Sequence, residues 1–324
     1  MINSYFIQIV SCSKKFGGEC FMLETNVCGV RLRNPLMLAA GIMGSTASSM
    51  NWILESGAAG VVSKSFSLKP HSGYHNPTTV SVDGGIINAI GLSNPGVDNF
   101  KLELMKINRD DNVVVASIYG ATPDEFESLV NEINPIVDMI ELNISCPHAM
   151  EGYGASIGQD CNLSHKIVSA SKDAAEVPVI AKLTPNVTDI NEIARTCEDA
   201  GADALSLINT VGPGMKINID VAKPVLANKF GGKSGKAIKP IAVRNVYSVY
   251  ESVSIPLIGV GGIYNFEDVV EFIFAGASAV QIGTAIMDEG VGVFSQINND
   301  LKEFMNIKGY DSIDEMIGLA HGGD

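Results

Sequence analysis

Basic residues are the minority in this chain. Lys and Arg number 22 against 36 Asp and Glu in 324 residues, a formal net charge of −14. A protein this acidic repels phosphate backbones, which argues against a nucleic-acid partner. Charge of either sign is scarce, at 18% against 46% hydrophobic residues, which excludes a disordered chain or a coiled coil. Long apolar runs are absent too. None could span a bilayer, and residues 6–10 are too short for a signal segment, with no small-residue cleavage site after them. The six cysteines, Cys12, Cys20, Cys28, Cys146, Cys161 and Cys197, form no CxxC pair. Six in a chain this long is not a disulfide framework, and their spacing suits neither zinc nor an iron–sulfur cluster. His148 and His165 fit no metal motif such as HExxH, so no metal is assigned. A reduced, cytoplasmic protein is expected. No linker rich in Pro, Ser or charge interrupts the chain. We expect one domain over residues 22–324, preceded by an unanchored extension at 1–21, with Met22 as good a start as Met1.

What is present is a recurring short apolar run that ends in a polar or glycine-rich turn. Eight are read: Leu36–Ala40, Gly60–Lys64, Val113–Ser117, Met139–Asn143, Pro178–Lys182, Ala204–Asn209, Pro256–Gly261 and Ala279–Gly283. They are continuous rather than alternating, as strands buried on both faces of a parallel sheet are. Helical spacing falls between them, at Pro123–Ile136, Ile190–Ala200 and Glu267–Ala275. Three helix-to-strand junctions share a small motif around Gly57, Gly201 and Gly276, where glycine suits the position after a helix. Strand–helix alternation with eight strands predicts a (β/α)8 TIM barrel; an open doubly wound sheet is the competing arrangement. No G-x-G-x-x-G opens a helix after the first strand, which disfavours a dinucleotide fold. The long gaps Ser65–Asn112 and Thr210–Ile255 are expected to hold insertions at the C-terminal face of the strands.

Catalysis in such barrels sits at the C-terminal strand ends. Those ends read Ala40, Lys64-Ser65, Ser117, Asn143, Lys182, Asn209-Thr210, Gly261-Gly262 and Gly283-Thr284. Glycines after the last two strands let backbone N–H groups approach an anion, so a phosphate-bearing ligand is expected there. Lys64 and Lys182 follow apolar residues, where a lysine is hard to bury without a partner. They read as cations aimed at a ligand, Lys182 opposite charge developing on an electron-accepting ring. Asn143 and Asn209 can donate and accept at once, as an amide-like ring edge requires. Cys146 lies in ELNISCPH, where Pro147 ends the local pattern and places the thiol on a loop after the fourth strand; a thiolate near cations there serves as base or nucleophile.

These segments resemble the dihydroorotate dehydrogenases, most of all the NAD-linked subclass 1B of class 1. The resemblance rests on NPLMLAAG (34–41), KSFS (64–67), NAIGLSNPG (88–96), ELNISCP (141–147), AKLTPNVTDI (181–190), LINT (207–210), ANKFGGKSGKAIKP (227–240), GVGGI (259–263) and AGASAVQIGTA (275–285), in family order. It implies one FMN per chain at the barrel mouth. The flavin would be held by Ala40, Lys64, Ser65, Ser117, Asn143, Lys182, Ile208 and Gly235, and its phosphate by Gly261, Gly262, Gly283 and Thr284. It implies that Lys64 with Asn88, Ala89, Ile90, Gly91 and Leu92 holds dihydroorotate and its carboxylate, while Asn143, Asn209 and Thr210 read the pyrimidine ring. Cys146 would take the C5 proton as hydride leaves C6 for flavin N5, giving orotate in UMP biosynthesis. Electrons would then pass to NAD⁺ through a partner subunit carrying FAD and a [2Fe–2S] cluster, bound to a homodimer of this chain as a heterotetramer.

Two positions depart from the family pattern: His148 stands where many relatives have asparagine, and Ser117 where an asparagine often meets the flavin. The segments around Cys146 and Lys182 also resemble the pyrimidine-reducing domain of dihydropyrimidine dehydrogenase, whose uracil or thymine carries no carboxylate. The stretch Thr78–Ile90 and NAIGL favour the orotate type. A non-catalytic flavin scaffold would leave Cys146, Lys64, Lys182 and Asn143 unexplained. A flavin enzyme acting on tRNA uridine would want a basic face, which the −14 balance opposes.

Overall fold

The computed structural model describes residues 21–144 and 157–322. Residues 1–20, which hold almost all of the expected extension, lie outside the described residues, as do Cys146 and His148.

Eight parallel strands close into a barrel: β1 (Leu36–Leu38), β2 (Gly60–Val62), β3 (Val113–Ile118), β4 (Met139–Asn143), β5 (Val179–Leu183), β6 (Ala204–Leu207), β7 (Leu257–Val260) and β8 (Ala277–Ile282). Each pairs with its sequence neighbours, and β8 returns to β1. The open sheet is thereby excluded. All eight expected runs are strands. Several end a residue or two early, because the chain leaves the ladder there to build the cavity described below.

Helices cover the outside, and five of them begin on a polar cap. Thr46, Thr122, Asp160, Asp189 and Asn265 each accept a hydrogen bond from a backbone N–H in the first turn. Each such cap stabilises its helix by about 1 kcal/mol. Gly57, Gly201 and Gly276 have φ of +111°, +95° and +115°. Left-handed geometry turns the chain sharply from helix into strand there, which is why the three junctions share glycine.

The barrel interior is filled by Met37, Val62, Val115, Ile180, Ile258 and Ala279, closed from below by Val27 and Leu32 of an N-terminal hairpin (Thr25–Val27 with Val30–Leu32). A larger apolar layer lies between strands and helices, with Phe126, Phe272 and Phe294 fully buried. Burying such a side chain contributes roughly 1.5–3 kcal/mol.

Both long gaps carry insertions, and the insertions join. Thr79–Val82 and Gly85–Asn88 form a hairpin from the first, Val211–Gly214 and Gly231–Ser234 come from the second, and the four strands make one antiparallel sheet. Gly232 pairs with Asn88 across the join. This sheet stands over the C-terminal strand ends and turns an open barrel mouth into a cavity.

Candidate active site

The cavity measures about 510 Å³. Strand ends supply its floor and the sheet supplies part of its wall. Ala40, Lys64, Ser65, Asn143, Lys182, Ile208, Asn209, Thr210, Gly261, Gly262, Gly283 and Thr284 line it from the barrel, and Asn88, Ile90, Leu92 and Gly235 from the insertions. Residues as far apart in sequence as Ala40 and Thr284 thus meet in one space, which only barrel closure achieves. Three expected residues are not among the lining side chains. Ser117 is fully buried and shares a 2.8 Å hydrogen bond with Ser65. Ala89 packs with Ile87 and Leu226 inside the insertion. Gly91 lies in the turn between the lining residues Ile90 and Leu92.

A polar chain crosses the floor. Ser117 meets Ser65, the Asn143 amide donates to Ser65 Oγ at 3.0 Å, and the Asn209 amide approaches Asn143 Oδ1 at 3.5 Å. Asn209 Oδ1 in turn accepts the Thr210 backbone N–H at 2.7 Å. These bonds fix the amide orientations, so each donor and acceptor edge has a defined place. Lys64 is half-buried, and its ammonium lies 3.4 Å from Ser93 Oγ. Burial disfavours its charged form and pushes its pKa below the ordinary lysine value.

Lys182 is almost wholly buried, yet it is part of the cavity lining. Beneath it lies a carboxylate that sequence reasoning did not single out. Glu141 Oε1 and Gln281 Oε1 each accept from Lys182 Nζ at 3.1 Å. Glu141 Oε2 accepts from Gln281 Nε2 at 2.8 Å and from Ser206 Oγ at 2.9 Å. A signal for this cluster was available, since Glu141 and Gln281 are polar residues within apolar runs, and a charge in a two-face-buried strand requires a partner.

At the opposite rim the backbone comes close. Gly261 and Gly262 have φ of +128° and +78°, and a Cβ on Gly262 would fall 2.9 Å from both the Gly235 carbonyl oxygen and the Lys239 nitrogen. Nearby, Thr284 Oγ1 donates to Ser234 Oγ at 3.1 Å. Glycine backbone and these hydroxyls suit the approach of an anionic group.

A closed barrel with a covered cavity at the C-terminal strand ends, apolar in most of its lining but set with lysine and asparagine side chains, defines the chain as a (β/α)8-barrel enzyme. Barrel geometry alone does not select the reaction. Residues 22–305 match the family model described as dihydroorotate dehydrogenase, and the chain belongs to that family. It is 61% identical over 301 residues to the dihydroorotate dehydrogenase B (NAD(+)), catalytic subunit, of Methanothermobacter thermautotrophicus, covering 93% of this chain and 99% of that one. The protein of the same name from Methanocaldococcus jannaschii is 49% identical over 308 residues, covering 94% and 99%. The one from Pyrococcus abyssi is 48% identical over 299 residues, covering 92% and 99%.

Proposed function

We propose that this chain oxidises (S)-dihydroorotate to orotate in pyrimidine biosynthesis, as the catalytic subunit of an NAD⁺-linked enzyme. The observation that carries the reading is the joining of Lys182, Asn143 and Lys64 to the glycine rim in one covered cavity. The relatives' shared name gives the substrate and acceptor.

The cavity fits FMN on this chain's own residues. A buried cation with fixed amides offers a floor for a flat ring with polar edges. The Gly261–Gly262 turn, packed so closely on Gly235 and Lys239 that no side chain fits, offers backbone N–H groups to a phosphate, together with Gly283 and Thr284. Ala40, Lys64, Ser65, Asn143, Lys182, Ile208 and Gly235 hold the ring, with Ser117 bracing Ser65. A flavin bound there would supply the acceptor for the hydride that leaves C6 of dihydroorotate. Lys182 would hold a preorganised cation beside the ring, placed to stabilise negative charge there. Asn143, Asn209 and Thr210 orient the substrate ring. Lys64 and the segment from Asn88 to Leu92 hold its carboxylate. The Cys146 thiolate takes the C5 proton, so one hydride and one proton leave and the C5–C6 double bond forms.

Further transfer of the two electrons to NAD⁺ calls for a partner subunit with FAD and a [2Fe–2S] cluster, bound to a dimer of this chain in the cytoplasm. In support, the relatives are named as catalytic subunits, and this sequence carries neither cluster spacing nor a dinucleotide fingerprint.

Anaerobic titration of the purified flavin-loaded chain tests the reading. Dihydroorotate is expected to bleach the flavin absorbance, and dihydrouracil to leave it unchanged. Bleaching by dihydrouracil alone would overturn the orotate assignment in favour of a dihydropyrimidine dehydrogenase-type reaction.

A further inference from the structure

The segment from Asn88 to Gly96 reaches the cavity through a turn of unusual shape. Gly91 and Leu92 are consecutive left-handed residues, with φ of +73° and +55°. A leucine in that region costs roughly 1–2 kcal/mol, so the surroundings must hold it there. Two side chains do. The Leu92 carbonyl accepts from Asn94 Nδ2 at 3.0 Å and from the Tyr119 hydroxyl at 3.0 Å. Asn94 Nδ2 also lies 2.8 Å from that hydroxyl, and Ser67 Oγ donates to the hydroxyl at 3.0 Å. Asn94 Oδ1 accepts the Gly96 and Ser67 backbone N–H groups at 2.9 and 3.3 Å. Its own backbone pairs both ways with His71 at 2.9 Å. Tyr119 follows directly on β3 and donates its backbone N–H to the Phe66 carbonyl at 3.0 Å. The clasp therefore bolts the turn to the rigid barrel. Both side chains are buried, and neither lines the cavity.

The consequence is electrostatic. A carbonyl engaged by two donors is not presented to an incoming anion. The backbone N–H groups of Gly91 and Leu92, by contrast, make no hydrogen bond with any described residue. They remain available beside Ser93, whose hydroxyl meets the Lys64 ammonium. Successive free N–H groups near a cation form a concavity for an anion.

We propose that Tyr119, together with Asn94, is a positioning residue for the substrate's carboxylate: it takes up the Leu92 carbonyl and keeps the Gly91–Leu92 turn in its anion-accepting form. This rests on the dihydroorotate reading above and adds to it residues that touch neither substrate nor cofactor. A ligand lacking the carboxylate gains nothing from the clasp.

Tyr119→Phe, which keeps the ring and removes only the hydroxyl, tests it in the flavin-loaded chain. Dissociation constants for orotate and for uracil are read from the perturbation of the flavin spectrum. Steady-state constants for dihydroorotate are read with a dye acceptor. Orotate binding is expected to weaken about fivefold to tenfold, as loss of one or two net hydrogen bonds implies. The KM for dihydroorotate rises by the same factor, while kcat stays within about twofold. Uracil binding is unchanged. Unchanged orotate binding would overturn the proposal, and so would equal weakening of orotate and uracil, which marks a merely structural role. Failure of the underlying reading is separately visible, because the wild-type flavin would then not bleach with dihydroorotate.

Discussion

The Glu141 carboxylate has no exposure to solvent and lies 3.1 Å from the Lys182 ammonium, which is itself only 5% exposed. An isolated charge at either position would cost several kcal/mol to bury. As a pair, bonded further to Gln281 and Ser206, they let a cation stand at the cavity floor before any ligand arrives. Its place there is therefore preorganised, which is what electrostatic stabilisation of a developing charge requires.

Glu141→Gln takes the carboxylate from Lys182 while keeping the shape. Urea unfolding is expected to show a loss of about 3–5 kcal/mol. Adding Lys182→Met should recover part of that loss, since both charges are then gone, and a double-mutant cycle measures the coupling. Additive losses would show that the pair does not act as a unit.

Lys64 gives a pH dependence of definite sign. Burial lowers its pKa below the ordinary lysine value, so the ammonium is lost at a lower pH than on an exposed lysine. Orotate affinity should therefore be steady below that lowered pKa and fall as pH rises through it. Lys64→Met should weaken binding and flatten this limb of the profile. The check is a series of orotate titrations from neutral to alkaline pH; a wild-type profile level throughout would count against a role for the cation.

Gly262 probes the anion rim. An alanine there meets two backbone atoms at 2.9 Å and must adopt φ near +78°, at roughly 1–2 kcal/mol for the conformation alone. Gly262→Ala is expected to weaken FMN binding by about tenfold or more, read by fluorescence quenching on reconstitution. Its circular dichroism should remain that of the wild type.

Cys146→Ala should lower turnover by about 10²–10⁴, the usual worth of a general base, with flavin content unchanged. Loss of flavin along with activity would assign the residue to cofactor binding instead.

The barrel was legible in the sequence because strands buried on both faces leave little freedom of composition. Eight apolar runs with helical spacing between them carry the architecture locally, and polar residues at their C-terminal ends mark the functional face. Lys64, Lys182, Asn143 and the late glycines were readable one at a time for that reason. The partners of those residues were not. Glu141 and Lys182 are 41 positions apart, Lys182 and Gln281 99, and no local pattern joins them. Closure of the barrel decides those contacts, because inward side chains from different strands share one small buried volume where a charge is stable only if paired. The same holds for the sheet built from two distant insertions, and for the Tyr119–Asn94 clasp. Local periodicity determined which segments become strands and helices. Tertiary packing alone decided which polar groups meet, and with that which of them act together.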